Sequence, residues 1–516
     1  MCEYVLEKPD QQLLNQVLGE LMATFAVAED GRPARVRRTW LDTFDWRLYR
    51  AGLTLQHVSA RGAGELRLTG ADRQRLAAQP GPGRWPCLAD ALPAGPVRDA
   101  IARVAGIRAL LPAGTAASQV RELRLLNSDE KTVARLVVDE MSVPAPAGVV
   151  LPARLAVTEI RGYQAAARRA RRVLEGIAGV SPSRLTALDA VLHAAGRRAA
   201  DYSGKVDVAL RPAMAGCDAV TTILLQQLDT VEVNVDGVLR DIDTEFLHDL
   251  RVAVRRTRSA LKLVGDVLPG EVAPRFVPEF KWLGDLTTPV RDLDVHLLSF
   301  PLMSAGLVAA SPGDLEPFRA FLARRRIGER RKLNRGLRSA RFASVTGDWR
   351  KALLGMRDAP GVAPGPRAAE LSAGRTKRAY GRVLRLGSSI TGASPAESLH
   401  TLRKRCKELR YVLEFFTSLH DPETYRAAIG DLKRLQDCLG EFQDSQVQRG
   451  EIQALAAVML ARHAAPADTL LAMGELAAQL GVRQRRARAE FAERFAEFAG
   501  TRGRRRMAAL TAGAAS

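Results

Sequence analysis

Short runs of alternating apolar and polar residues fill the first 160 positions of the chain. Residues 35–44, 53–60 and 65–69 alternate with the period of two expected of half-buried strands, the last two joined across Arg61-Gly62-Ala63-Gly64. Residues 120–126 and 132–143 predict a second hairpin around Asn127-Ser128-Asp129-Glu130, and residues 154–161 one more strand. The period then lengthens to that of helices, over 164–177 and again over 182–199, where Ser181 offers a cap and Pro182 a first-turn proline. Residues 202–217 show no period and predict a linker. From residue 218 onward the pattern is helical throughout, broken at Pro269-Gly270, Ser311-Pro312-Gly313, 360–366 and 391–395. The basic, small-residue tail after Gly500 is expected to fray.

Two of these helices carry nearly the same sequence, HDLRVAVRRTR at 248–258 and HTLRKRCKELR at 400–410. In the first, His248, Arg251, Arg255, Arg258 and Lys262 fall on one stripe, with Leu247, Leu250, Val254 and Leu261 opposite and available for a core. His248, Arg251, Arg255 and Arg258 match His400, Arg403, Lys407 and Arg410 at an offset of 152 residues. The offset holds downstream, where Leu283, Asp285 and Arg291-Asp292 match Leu435, Asp437 and Gln443-Asp444. This predicts a duplicated helical bundle whose two basic faces could line one groove. Arg375, Arg378, Arg382 and Arg385 share a further face, as do Arg324, Arg331, Arg335 and Arg338. Like charges on one face repel by roughly a few tenths of a kcal/mol per pair, a cost that an anionic ligand removes.

Charge and composition sharpen that picture. Residues 1–160 hold 20 basic and 18 acidic residues, and the remaining 356 hold 57 and 39, so +18 of the net +20 lies in the second part. Arginine predominates, which suits bidentate contacts to phosphate, so a polyanionic partner is one reading and a solvated basic surface the other. Aromatic residues are 5% of the chain, few for the stacking that single-stranded nucleic acid uses. Cys2, Cys87, Cys217, Cys406 and Cys438 form no CxxC, which fits buried thiols in a reducing compartment. No apolar run is long enough to span a bilayer and no secretory pattern opens the chain, so a cytoplasmic protein without membrane insertion is expected.

HDLRVAVRRTR, HTLRKRCKELRYVLEFF, RDLDV and LGEFQD together resemble the CHAD domain, the conserved histidine α-helical domain, over about residues 218–500. The resemblance implies two four-helix bundles around a basic pore, and binding of inorganic polyphosphate. Its phosphate contacts would fall on His248, Arg251, Arg255, Arg258, His400, Arg403, Lys407 and Arg410, and less directly on Lys262, Arg378 and Arg382. Thr287-Thr288-Pro289 stands where the second half has Leu439-Gly440-Glu441 and the family Leu-Gly, and is expected to kink a helix start without touching the basic stripe. TWLDTFDWRLYRAGLTLQHV, RELRLLNSDEKTVARLVVDE and LAVTEIRGY are similar to the CYTH, or triphosphate tunnel, domain. That resemblance implies an antiparallel β-tunnel holding divalent metal and triphosphate. The expected Glu-x-Glu-x-Lys is reduced to Glu3, Val5 and Glu7, the expected basic pair is Gln56 and Val58, and the late acidic pair is Val157 and Glu159. Arg67, Arg121, Arg124, Asp139 and Glu159 remain as tunnel candidates. So few carboxylates predict a catalytically inert domain with no cofactor; magnesium or manganese would be needed only if it were active.

The expectation is thus an α+β multidomain chain. An N-terminal antiparallel β-tunnel-like domain with C-terminal helices spans 1–200 and a linker 201–217. An all-α domain of two four-helix-bundle repeats, about 218–370 and 371–500, follows, and then a basic tail, 501–516. Its expected function is binding polyphosphate, at polyphosphate granules and beside other granule proteins. A metal-dependent inorganic triphosphatase and a nucleic-acid binder are the alternatives.

Overall fold

A computed structural model describes residues 2–60, 63–144, 147–358 and 365–512. Arg61 and Gly62 of the expected turn, residues 359–364 of the expected break and residues 513–516 of the tail lie outside them. The chain divides into two compact units, 1–203 and 204–516.

The first unit opens with β1 (Cys2–Leu6), α1 (Gln11–Thr24), β2 (Ala26–Glu29), β3 (Ala34–Thr43) and the short α2 (Arg47–Arg50). β4 (Thr54–Ala60), β5 (Ala63–Thr69), β6 (Arg75–Pro80), β7 (Cys87–Leu88) and α3 (Pro96–Ala105) follow. β8 (Ala109–Leu126), β9 (Thr132–Val143), β10 (Val149–Val150), β11 (Arg154–Glu159), α4 (Gln164–Glu175), β12 (Val180–Pro182) and α5 (Ala187–Ala194) complete it. The strands form one antiparallel sheet in the order β12-β1-β11-β9-β8-β3-β4-β5-β6, with β2 and β7 also on β8 and β10 on β9; the path does not close.

Both expected hairpins are present. β8, however, reaches back to Ala109, because β3 pairs along it from Ala34↔Val120 to Thr43↔Leu110. The small residues of 113–118 hid that half of the strand. Ser181 and Pro182 start no helix: they pair with Val5 and Tyr4 at the sheet edge. The next helix, α5, begins instead at Thr186, which closes a capping box with Asp189.

One face of the sheet packs Leu123, Leu125, Leu136, Val138, Leu155 and Val157 against Leu14, Val17 and Leu21 of α1 and Ala167, Ala170 and Leu174 of α4. Those helical residues recur at three- and four-residue spacing, so each helix buries one stripe. By strand alternation Glu3, Asp139 and Arg154 project from the opposite face. Cys217, Cys406 and Cys438 are buried as expected, whereas Cys87 is only half-buried.

In the second unit α6 (Gly216–Arg240), α7 (Thr244–Leu263), α8 (Val272–Ala305), α9 (Glu316–Leu337) and α10 (Ala340–Asp358) make the first repeat. The second comprises α11 (Ala368–Ser388), α12 (Ala396–Phe415), α13 (Pro422–Ala461), α14 (Ala467–Ala499) and α15 (Thr501–Ala512). α7 and α12 match at both ends at the offset of 152. Asp243 caps α7 by accepting from the amides of Glu245 and Phe246. The described part of the tail, 501–512, is helical rather than frayed. It forms α15, whose Met507 and Leu510 join the core of Leu409, Leu413 and Leu432. A further core spans the repeats, joining Leu293, Phe300, Phe318 and Leu322 to Ile452, Met459, Met473 and Leu476.

Candidate functional site

α7 buries Leu247, Leu250 and Val254, which turns its basic stripe towards α8 and α12. The stripe meets its counterpart there. A cleft of about 540 Å³ is lined by His248, Arg251, Arg255 and Arg258 of α7 and by His400 and Arg403 of α12. α8 supplies Gly284, Thr287, Thr288, Arg291, Asp292 and His296, and α13 supplies Gln443, Asp444 and Glu451. Three histidines and five arginines, drawn from α7, α8 and α12, thus face one space.

Each cation is held differently. Arg251 donates from Nη1 to Thr288 Oγ1 at 2.6 Å and to Thr287 Oγ1 at 3.4 Å. Burial lowers its pKa; Asp292 opposes this, while Arg255 and Arg291 add to it. The Arg255 guanidinium lies 5.8 Å from the ring centre of Tyr411, a cation–π contact across the repeats. Arg403 forms an ion pair of 2.8 Å with Asp444, and His400 Nδ1 lies 2.9 Å from Gln443 Oε1. Arg291 is drawn back to Glu245 at 3.6 Å and to the Thr244 carbonyl at 3.1 Å.

The other expected phosphate contacts stand apart from this lining. Lys407 is close enough that, after burial, Arg403 and Arg255 help push its pKa down to about 8. Lys262 is held by Glu408 at 2.8 Å and Arg410 by Glu414 at 2.6 Å. Arg378 and Arg382 are exposed on α11, and Arg378 turns back to the Gly374 carbonyl of its own helix.

Thr287-Thr288-Pro289 also behaves unlike the expectation. α8 runs unbroken through Pro278, Pro289 and Pro301, and both hydroxyls touch the basic stripe through Arg251. Thr288 Oγ1 donates to the Gly284 carbonyl at 2.7 Å, a local bond within the turn that precedes Pro289. Sequence reasoning missed His296, 5% exposed, whose Nε2 lies 2.7 Å from Glu451. Its signal was available: Thr288, Asp292 and His296 recur every four residues on α8.

In the first unit the candidate tunnel residues carry partners. Asp139 pairs with Arg38 at 2.8 Å, Arg67 with Glu65 at 2.5 Å and Arg124 with Asp30 at 3.8 Å. Glu3, the retained carboxylate, is shared by Arg154 at 2.8 Å and Arg73 at 3.0 Å. Arg121 and Glu159 share the parity of the helix-packed residues, on the wrong face for a tunnel: Arg121 pairs with Glu140, and Glu159 lies 3.6 Å from Arg171 of α4. Among the described residues no group of three or more His, Cys, Asp or Glu is placed to hold a metal ion, and no helix is long and apolar enough to cross a membrane.

The family model of the CHAD domain matches residues 222–453. This segment is a CHAD domain. Among solved structures, the CHAD domain from the plant Ricinus communis is 26% identical, covering 57% of this chain and 96% of its own, with a TM-score of 0.48. PptA from Streptomyces chartreusis is 16% identical over 54% of this chain and 98% of its own, with a TM-score of 0.43. HpAC1 from Hippeastrum, described as having a dominant triphosphatase activity, is 11% identical over 39% of this chain and 98% of its own, with a TM-score of 0.27. No curated protein matches the chain. Beyond the matched residues, α14 and α15 complete the second repeat of the CHAD-containing unit.

Proposed function

We propose that the CHAD cleft binds inorganic polyphosphate. The observation that carries this reading is the convergence of His248, Arg251, Arg255, Arg258, His400 and Arg403 on one cleft, from two helices 152 residues apart. Linear polyphosphate is a dense, flexible polyanion without bases. Guanidinium groups aligned along a cleft meet its needs through charge-assisted, forked hydrogen bonds. Protonated histidines would add donors at lower pH. The reading extends to polyphosphate granules and their other proteins as surroundings, and there it rests on the family likeness alone. For the N-terminal unit, the ion pairs that occupy Glu3, Arg67 and Asp139 support a scaffold or docking role.

The test is a competition titration on the full chain at about 150 mM salt, where charges on an open surface are screened over roughly 8 Å. Labelled long-chain polyphosphate is displaced by tripolyphosphate or by single-stranded DNA. Polyphosphate should win over DNA by orders of magnitude. Arg251→Glu with Arg403→Glu should weaken it roughly 100-fold or more with helix content unchanged. Displacement by DNA at equal concentration would reduce the cleft to a generic basic surface, with a steep salt slope for both ligands.

A further inference from the structure

The two repeats match in sequence, yet their cleft cations are not equivalent. Arg251 and Arg403 occupy matched positions, and each has a matched aspartate one helix away, Asp292 and Asp444. Arg403 reaches its aspartate at 2.8 Å. Arg251 forms no ion pair among the described residues, although Asp292 acts on it through space. The difference lies at one further matched pair, Thr288 and Gly440. Gly440 offers no side chain, and a Cβ built there would lie 3.9 Å from both Arg403 and Asp444, so nothing stands between the two charges. Thr288 puts a hydroxyl at 2.6 Å from Arg251 Nη1. That oxygen is fixed in turn, because its own proton goes to the Gly284 carbonyl at 2.7 Å. Thr288 therefore holds Arg251 with a neutral acceptor where the second repeat uses an anion.

The same contrast recurs one helical turn and two helical turns on. Arg258 lies close over Gly284 and has no carboxylate partner among the described residues, whereas its counterpart Arg410 is paired with Glu414 at 2.6 Å and reaches Gln436, the counterpart of Gly284. Arg255 rests on the Tyr411 ring, while its counterpart Lys407 offers an ammonium without the planar fork of a guanidinium. A guanidinium already paired with a carboxylate must lose that partner, or share it, before it can take a phosphate. One held by a hydroxyl or a ring keeps its full charge for the ligand.

Resting on the polyphosphate reading, we propose that the cleft grips its polyanion unevenly. Arg251, Arg255 and Arg258 of α7 take the phosphates, Thr288 is the positioning residue that presents Arg251, and Arg403 and Arg410 of α12 are held in reserve by Asp444 and Glu414.

Titration calorimetry of the full chain with polyphosphate of one defined length tests this. Arg251→Gln should cost several times more affinity than Arg403→Gln. Asp444→Asn should tighten binding by freeing Arg403, and Thr288→Val should weaken it roughly fivefold, the effect of one lost hydrogen bond. Thr288→Ser should restore it. In an Arg251→Gln background the Thr288→Val effect should vanish, which loss of fold stability alone would not produce. Should Thr288→Val fail to fold, the comparison of Arg251→Gln, Arg403→Gln and Asp444→Asn still decides. Equal losses at Arg251 and Arg403, with Asp444→Asn neutral or weaker, overturn the proposal while leaving polyphosphate binding intact. A wild-type chain that does not bind polyphosphate overturns both.

Discussion

Lys407 sits one turn along α12 from Arg403 and carries its charge at a disadvantage. Burial acts first, and Arg403 and Arg255 add repulsion, bringing its pKa to about 8 from an ordinary 10.5. The folded chain therefore binds fewer protons at this side chain than the unfolded chain between about pH 8 and 10.5, and its stability rises with pH across that window. Ligand binding has the opposite sign, because a polyanion favours the ammonium form. Lys407→Met removes the strained charge at nearly constant volume. The variant should be more stable than wild type at pH 7, by a margin that narrows as pH rises from 8 towards 10.5; thermal unfolding at a series of pH values measures it. Its polyphosphate affinity should be weaker at pH 7, and the gap from wild type should close above pH 8.

Among the elements, α15 shows where a sequence pattern ran out. Its composition, Thr501-Arg502-Gly503-Arg504-Arg505-Arg506 followed by small residues, reads as solvated. Met507 and Leu510 supply a single i, i+3 pair, too short a stripe to establish a helix by periodicity. Yet both are buried, and Arg506 reaches Asp431 at 2.5 Å. Leu510→Ala should cost about 2–4 kcal/mol in chemical denaturation, against less than about 0.5 kcal/mol for Arg505→Ala, which is exposed. The repeat offers only the helix itself: an offset of 152 lays α15 over the second half of α10, but Met507 and Leu510 fall on Gly355 and Asp358, so the buried positions do not carry over.

The basic stripes themselves were legible, because a 3.6-residue period fixes which side chains share a face. Their pairing was not. Asp444 and Thr288 come from other helices, and Glu414 stands one turn from Arg410 in a chain rich in such pairs, so spacing gives the direction of a cation and not its partner. In the sheet the limit was parity. Arg121 and Glu159 were assigned by motif position, and only the register with Val138 and Ala134 set their face.

At the scale of the whole molecule, the two units have separate cores, one of sheet and helices and one of helices alone. A ligand of the cleft stabilises the unit that contains it and leaves the other to unfold on its own terms. Differential scanning calorimetry should resolve a transition that moves upward with polyphosphate and another that does not. At a free ligand concentration 100 times Kd, the mobile transition should gain about 2.7 kcal/mol. Raising the salt should shrink that gain, as a line of phosphate contacts predicts.

Gly284 and Gln436 occupy matched places, one bare and one bearing an amide. A doubled gene leaves each half free to drift while the other keeps the original task. Here the copies differ at matched places: the first carries no side chain beneath Arg258, and the second sets Glu414 and Gln436 as acceptors beside Arg410. The halves have ceased to be interchangeable parts. Exchanging α12 for a second α7 would again set arginines opposite Asp444 and Gln436, but it would bring Lys262 to the place of Glu414, so recombination between the copies would replace the ion pair at Arg410 with two facing cations.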